Sequence, residues 1–462
     1  MHRIEKDSMG EFKVPADALY GAQTARAVAN FPVSGQGLGR HMIRAMGLIK
    51  LAAARVNTDL GNVDKKLTDA IGKAAEEVIA GEHDAHFPVD VFQTGSGTSS
   101  NMNANEVISN RAIQILGGEL GSKLVHPNDH VNFGQSSNDV FPTAIHVAAV
   151  CLVREQLLPA LEHLEGAISA KAKAFDEIVK IGRTHLQDAT PVRLGQELSG
   201  YASQVAHSRR HIENCLWHLE ELAQGGTAVG TGINTHPEFG ARMATLLSEL
   251  TGHSFREADN HFEAQGAQDS AVQLSGCLKT TAAALLKIAN DVRFLGSGPR
   301  LGLGEIKIPP VQPGSSIMPG KVNPVIAESM IMVCAQVIAN DTAITLGGLY
   351  GNFELNVMLP LIARNLLEQV SLLANAARMF ADKLVDGLEA NHERIAAMNE
   401  QSLSLATSLA PHIGYDAAAA LAKQSYKTGK TVRELAFEQK VLPADKLEQV
   451  LDLRRQTEPG VE

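Results

Sequence analysis

The chain has 462 residues, of which 44% are hydrophobic, and its 41 Lys and Arg against 51 Asp and Glu give a formal net charge of −10 at pH 7. This length allows about two or three domains with a sizeable core, and the acidic balance argues against nucleic-acid and membrane-surface binding, because both usually need a basic face. No apolar run reaches the roughly 18 residues of a membrane span, and the N-terminal residues lack the apolar core of a signal peptide, so we expect a cytoplasmic protein.

Residues 1–137 read as a loop-rich, mainly helical domain with two polar segments beside helices. The first, at 93–98, is Gln-Thr-Gly-Ser-Gly-Thr, and the second, at 126–129, is His-Pro-Asn-Asp. Hydroxyls, amides and free backbone N–H groups at helix starts are suited to carboxylate binding. Gly95 to Gly97 does not read as a phosphate loop, because no strand precedes it and no Gly-Lys-Thr follows. His83, Asp84 and His86 lack further evident ligands, which favours a solvated loop over a metal site.

A third polar segment, Gln-Ser-Ser-Asn-Asp at 135–139, begins a helix. Ser136, Ser137, Asn138 and Asp139 are all residue types that cap helix N-termini. Taken alone, this segment is better explained as a cap than as a binding site.

Residues 138–394 contain five long helical patterns with apolar residues every three or four positions. They cover 157–175, 194–222, 274–295, 326–337 and 355–380, and Pro360 predicts a kink or a late start in the last. Several would span about 45 Å. Helices of this length predict an extended antiparallel bundle that buries its apolar stripes in an oligomer. We see little strand pattern beyond 306–308, and 179–191, 223–237 and 298–324 read as polar, Gly-rich linkers.

Two more polar segments lie beside these helices. One is Gly-Arg-Thr-His-Leu-Gln-Asp at 182–188, and the other is Gly-Ser-Ser-Ile-Met-Pro-Gly-Lys-Val-Asn-Pro at 314–324. The second places two hydroxyls, an ammonium and an amide in a mobile loop that leads into a helix, an arrangement suited to closing over a small anion. Residues 395–462 form a small helical domain.

The four cysteines are expected to be buried thiols. They lie tens of residues apart in apolar helical patterns, and their spacing fits neither a zinc site nor an iron–sulfur cluster: Cys151, Cys215, Cys277 and Cys334. We therefore expect no cofactor and no metal.

The polar segments, in this order, resemble the sequence blocks of class II fumarase, a metal-independent member of the fumarase/aspartase superfamily. The similarity extends from Glu5 to Asp416. Aspartases typically have Gln where His185 stands and Ala where Gly320 stands. The resemblance implies a mainly α, three-domain fold, with a long central antiparallel bundle that forms a twenty-helix core in a homotetramer. It also implies reversible hydration of fumarate to (S)-malate in the tricarboxylic acid cycle.

The resemblance assigns roles position by position. Ser315 matches the residue proposed to remove the proton from malate C3, His185 the acid/base that handles the hydroxyl through water, and Glu328 the carboxylate that orients that histidine. The residues matched to substrate carboxylate binding are Ser96, Gly97, Thr98, Ser136, Ser137, Asn138, Thr184, Ser316, Lys321 and Asn323. A second carboxylate site near the entrance matches His126, Pro127, Asn128 and Asp129. The family often has Arg where Lys123 aligns, which affects only this entrance site.

These residue types fit the chemistry. Removing a proton next to a carboxylate creates a doubly negative aci-carboxylate, so fixed positive charge and aligned donors are needed where that charge develops. Lys321 and Asn323 supply such groups. Serine acts as a base only if its oxyanion is stabilised, and the loop's backbone N–H groups are suited to this. An imidazole exchanges protons near neutral pH, and a carboxylate such as Glu328 can hold its tautomer.

Helix length independently predicts shared active sites. Asn138 begins one long helix and His185 lies beyond its far end, about 50 Å away along an unbroken helix of about 35 residues. Both can contact one four-carbon acid only if a second, antiparallel chain supplies one of them.

Three alternatives remain open from the sequence. One is a related lyase, such as an aspartate ammonia-lyase or a hydratase of a methylated fumarate. Another is a non-catalytic relative that uses the bundle as a scaffold, although such a protein need not keep Ser315, Lys321, His185 and Glu328 together. A third is secondary binding to a macromolecule, for which the sequence shows no basic patch.

Overall fold

The computed structural model describes residues 2–460, and helices dominate this part of the chain. The seventeen α-helices are α1 (Ala22–Asn30), α2 (Arg40–Asp59), α3 (Lys65–Ala80), α4 (Thr98–Ile115), α5 (Ser137–Leu152), α6 (Leu158–Ala174), α7 (Leu194–Leu219), α8 (Phe239–Thr251), α9 (His261–Gly266), α10 (Asp269–Leu295), α11 (Val325–Leu349), α12 (Leu359–Phe380), α13 (His392–Gln401), α14 (Ala406–Ile413), α15 (Tyr415–Thr428), α16 (Val432–Glu438) and α17 (Ala444–Val450). The mainly α fold predicted from the sequence is confirmed.

Short strands form five two-stranded sheets within the same residues. The strands are β1 (His2–Asp7), β2 (Gly10–Pro15), β3 (Val179–Thr184), β4 (Gln187–Arg193), β5 (Glu221–Leu222), β6 (Arg256–Glu257), β7 (Ile306–Lys307), β8 (Gly351–Asn352), β9 (Leu355–Asn356) and β10 (Glu389–Ala390). The sequence predicted only the region of β7. Interpreting 179–191 as a linker was wrong, since β3 and β4 form an antiparallel hairpin there.

The five predicted long helices are present. Helices α5 and α6 join through a π-helical turn into one segment, Ser137–Ala174, of 38 residues, which is about 57 Å long. Helix α12 begins at Leu359, so Pro360 marks a late start, as a proline in the first turn can. The apolar stripe of α10 is buried along its whole length: Leu274, Leu278, Thr281, Leu285, Ile288, Val292 and Leu295.

The chain divides into two compact units, and their boundaries fall within long helices. One unit contains residues 2–159, 210–282 and 334–374. In it, α2 packs against α3, α5 and α8. The other contains residues 160–209, 283–333 and 375–460. The division into 1–137, 138–394 and 395–462 stays a prediction.

The C-terminal residues of the second unit have their own apolar cluster. It comprises Leu405, Ala406, Leu409, Leu421, Val432, Leu435, Ala436, Leu447 and Leu451. The short helices of this region therefore pack around a core to which no long helix of the described residues contributes.

Within residues 2–460, two helical segments are long and apolar enough to cross a membrane by length and composition, although none was expected from the sequence. In each segment, Ser137–Ala174 and Val325–Leu349, a stretch of 18 residues has a mean hydropathy of 1.4. In the first segment 72% of that stretch is buried inside the fold, as expected for a core helix. In the second, α11, only 39% of that stretch is buried, and Ile338, Leu346 and Leu349 are exposed, so a single chain leaves part of its apolar surface uncovered.

Candidate active site

The start of α4 presents the first predicted carboxylate-binding group. Gly97 is the N-cap and has φ +73°. A Cβ atom built there would lie 2.1 Å from the Phe141 ring, so only glycine fits. The hydroxyls of Ser96 and Thr98 lie 2.7 Å apart, next to the backbone N–H groups of the first helical turn, where an anion is favoured.

The start of α5 presents the second group, and the capping interpretation holds for part of it. The Ser136 hydroxyl accepts the Asn138 amide at 3.2 Å, and Asp139 accepts the Ser136 amide at 2.9 Å in a capping box. The Asn138 side chain donates to the Ala228 carbonyl at 2.8 Å. Ser136 is therefore the N-cap of α5. The hydroxyl of Ser137 accepts only one long hydrogen bond, at 3.4 Å, from the Asn101 side chain.

Asp139 anchors this turn from beneath. It is fully buried, and its second carboxylate oxygen accepts the backbone amides of Gly225 and Thr227 at 3.1 and 3.0 Å. Burial raises the pKa of Asp139 to about 6. The 223–237 segment, interpreted from the sequence as a Gly-rich linker, is therefore fixed to the start of α5.

Lys50 is a fully buried cation under the same turn, and sequence reasoning missed it. Its ammonium donates to the side-chain oxygens of Asn132 and Gln135 at 2.8 and 3.0 Å. Asn101 also contacts Asn132, at 3.3 Å, and reaches Ser137. Burial lowers the pKa of Lys50 to about 7, and the charge of Asp139 opposes this shift. The α4 and α5 groups are thus joined by one polar network.

The predicted entrance site, His126 to Asp129, caps a short π-helical turn. The His126 ring accepts the amides of Asn128 and Asp129 at 3.3 and 3.1 Å through Nδ1, and Pro127 is the first residue of the turn. A cavity of about 290 Å³ beside it is lined by His126, Asn128, Lys123 and Lys6, and also by Glu5, Asp7 and Glu106. The cavity therefore has mixed charge, and Lys123 contributes to it.

The 314–324 segment forms a closed loop before α11. The Gly314 amide donates to the Lys321 carbonyl at 3.0 Å, and the Asn323 side chain donates to the Gly314 carbonyl at 2.7 Å. Inside this loop the Ser315 hydroxyl oxygen accepts the amides of Ile317 and Met318, at 3.2 and 3.1 Å. Donors aimed at a hydroxyl oxygen stabilise its deprotonated form.

The open side of this loop faces a cavity of about 420 Å³, lined by Ser315, Lys321 and eight neighbours between Pro310 and Val322. Ser316 and Lys321 are exposed. Within residues 2–460 no carboxylate pairs with the Lys321 ammonium. The loop therefore leaves one cation available to an anion.

Thr184 and His185 lie at the tip of the β3–β4 hairpin. Thr184 pairs with Gln187, so His185 and Leu186 form a two-residue turn with φ +57° and +61°. Both angles are left-handed, as in a type I′ turn, which normally takes Asn or Gly. This conformation costs roughly 1–2 kcal/mol per residue for ordinary side chains, and such strain is typical of functional sites.

The expected pairing of Glu328 with His185 is not made within one chain. Glu328 lies in the first turn of α11, and both side chains are exposed. Among the residues that the structure describes, neither side chain has a hydrogen bond or an ion pair. The pairing therefore stays a prediction.

The other clusters are explained by local partners. Cys151, Cys215 and Cys334 are buried as predicted, while Cys277 is half-buried. A solvated loop was expected at His83, but its side chain is half-buried: Nε2 lies 2.7 Å from a carboxylate oxygen of Glu77, and Glu77 also pairs with Arg111. The group of Cys151, Glu155 and His253 has metal-ligand chemistry, but Arg44 already donates to Glu155 through both terminal guanidinium nitrogens, at 2.8 and 3.1 Å.

Comparison with known proteins shows the family of this chain. A family model described as lyase matches residues 10–339, and one described as the fumarase C C-terminus matches residues 405–458. The class II fumarate hydratase of Thermosynechococcus vestitus is 55% identical over 96% of this chain and 96% of its own. That of Halobacterium salinarum is 56% identical over 100% and 98%.

A solved structure supports the same family. The recombinant class II fumarase from Schistosoma mansoni has a TM-score of 0.96 and 43% identity, with 99% of each chain covered. With the lyase model covering most of the chain and relatives above half identity along its whole length, this chain belongs to the class II fumarases, the lyases that interconvert fumarate and malate.

Proposed function

We propose that Ser315 is the base that removes the C3 proton of malate, and the two amide hydrogen bonds to its hydroxyl oxygen carry this proposal. A serine alkoxide is normally too costly to form near neutral pH, but fixed N–H donors lower that cost. Lys321 then lies in the same loop, where its positive charge stabilises the aci-carboxylate that develops. The elimination is completed in the anti sense, and no metal is required.

His185 is the second acid/base, and it exchanges a proton with the departing hydroxyl through water. The hairpin tip exposes its ring, and a carboxylate is needed to fix its tautomer. Glu328 has that role in our proposal, supplied by another chain, because both side chains are free in the single chain among residues 2–460.

The α4 and α5 helix starts bind the substrate carboxylates. Directed donors come from the first-turn N–H groups, the side-chain amide of Asn138 and three hydroxyls, those of Ser96, Thr98 and Ser137. Thr184, Ser316 and Asn323 complete the binding set, and the His126–Asp129 turn forms a second, weaker carboxylate site. Together these donors suit a small dianion that has a carboxylate at each end.

We further propose a cytoplasmic homotetramer whose active sites each combine three chains. Two observations support the oligomer: the continuous helical segment Ser137–Ala174, of 38 residues, which has Asn138 in its first turn, and the uncovered apolar residues of α11. Exposed apolar surface of this kind marks association.

A mixing experiment tests the shared site. Asn138→Ala and His185→Asn chains are purified separately, shown to be nearly inactive, and then refolded together. Shared sites predict that hybrid oligomers regain a measurable fraction of wild-type activity, because some sites combine two unaltered contributions. Activity no higher than that of either variant alone would show that one chain supplies both residues.

A further inference from the structure

A network of charged side chains, of which Glu305 and Lys180 are buried, contacts the strand that leads to His185. Glu305 is fully buried, and one carboxylate oxygen accepts a hydrogen bond from Arg183 at 2.8 Å. Its other oxygen lies 3.2 Å from the buried ammonium of Lys180, which also donates to Glu197 at 2.7 Å. Two cations of β3 therefore share one carboxylate that lies outside the hairpin.

Glu305 itself is held on both sides by backbone hydrogen bonds. Its amide donates to the Leu295 carbonyl at 2.9 Å, and its carbonyl accepts the Asn391 amide at 2.8 Å. It immediately precedes β7, which pairs with β10. The carboxylate is thus a fixed point to which β3 is attached.

Elsewhere the hairpin is anchored through its backbone and, at the end of β4 away from the tip, through the Arg193 side chain. Ser404 donates to the Ala189 carbonyl at 2.6 Å, and Asn399 donates to the Val179 carbonyl at 2.8 Å. In the described residues the His185 ring has no hydrogen bond of its own. The direction of the imidazole ring is therefore set by the backbone of β3. Along this strand, Arg183 is the charged residue nearest to His185.

We propose that Glu305 is a positioning residue for His185: by holding Arg183 and Lys180 in a buried ion pair, it fixes the end of β3 and the direction in which the strained turn presents the imidazole. The inference rests on the proposed role of His185. Removing the charge of Glu305 leaves Lys180 with Glu197. Arg183, however, is left with the more distant carboxylate of Asp188, at 3.9 Å. We therefore expect the end of β3 to shift. A displacement of about 1 Å in a catalytic group can lower turnover about 100-fold.

The test is a double-mutant cycle on the full-length protein with malate as substrate. Glu305→Gln keeps the shape and removes the charge, and we expect kcat to fall about 10- to 100-fold with KM changed less than about threefold. In the His185→Asn background the same substitution should have no further effect on kcat, because the group it positions is already gone. If Glu305→Gln does not fold, Glu305→Asp, which keeps the charge but shortens the reach to Arg183, is measured in the same cycle.

A matched control separates positioning from general loss of a buried ion pair. Asp341 is also buried and accepts hydrogen bonds from Lys279 at 2.6 Å and Ser275 at 2.7 Å. Asp341→Asn should leave kcat within about twofold. The inference is overturned if Glu305→Gln has wild-type kcat while His185→Asn is nearly inactive, or if the two substitutions lower kcat additively. Near-normal turnover in His185→Asn would instead refute the proposed role of His185, and the inference with it.

Discussion

The backbone amide of Met318 donates a 3.1 Å hydrogen bond to the hydroxyl oxygen of Ser315. With the Ile317 amide, it forms a pair of donors aimed at the atom on which negative charge would develop. The contact of Gly314 with Lys321 closes the loop and holds these two donors in place. Pre-formed donors of this kind lower a barrier without reorganisation during the reaction.

Replacing Ser315 by alanine should lower kcat at least about 100-fold, because the variant has no group to take the C3 proton. The melting temperature should change little, since the serine is only half-buried. Steady-state kinetics with malate measure the first quantity and calorimetry the second. Ser122→Ala, at an exposed loop position, is the control. A Ser315→Ala enzyme within tenfold of wild type would remove this residue from the mechanism.

Replacing His185 by asparagine should also lower kcat at least about 100-fold. Asparagine is a common residue in left-handed turns, so the strained hairpin should be kept or even favoured. The variant should therefore melt no lower than the wild type while losing turnover. Lower stability together with normal turnover would mean that the ring is structural.

Gly97→Ala should both destabilise the fold and weaken substrate binding. The new methyl group meets the Phe141 ring at 2.1 Å, and φ +73° disfavours any L-residue. We expect a loss of roughly 2–4 kcal/mol and a raised KM. Gly35→Ala is the matched control, because it has φ +71° but no atom within 4 Å. If both variants lose the same free energy of unfolding, the contact with Phe141 carries no cost.

The buried Lys50 predicts a specific pH dependence of stability. Its pKa is about 7 in the folded chain against 10.5 for the ordinary group, so between these values the unfolded chain binds more protons. Stability then rises with pH. The free energy of unfolding of the wild type, minus that of Lys50→Met, should increase by up to about 1.4 kcal/mol per pH unit from pH 7 to about pH 10.

Denaturant titrations at pH 6.5, 8 and 9.5 and at one fixed protein concentration measure this difference. Burial raises the pKa of Asp139 to about 6, which lies below the window, so Asp139 contributes little to the slope. A difference that stays constant from pH 6.5 to pH 9.5 would show that Lys50 keeps an ordinary pKa.

The long helices could be predicted from the sequence, but the positions of the chemical groups could not. Periodic apolar residues predicted α10, and Pro360 predicted a kink or a late start in α12, of which the structure has the late start. Capping residue types correctly identified Ser136 and Asp139 at the start of α5. The β3–β4 hairpin was missed because its strands are polar and its turn uses His185 and Leu186 in place of the usual Asn and Gly. Lys50 was missed because its partners, Asn132 and Gln135, are more than 80 residues away along the chain.

A single absorbance measurement shows whether this protein is a metal-independent hydratase. Purified protein is treated with a chelator and given malate alone, and fumarate is followed in the ultraviolet. We predict immediate formation of fumarate at a rate that added divalent metal does not raise. No fumarate under these conditions, with activity restored only by metal or replaced by ammonia-dependent loss of fumarate, would show that the protein is not a metal-independent hydratase.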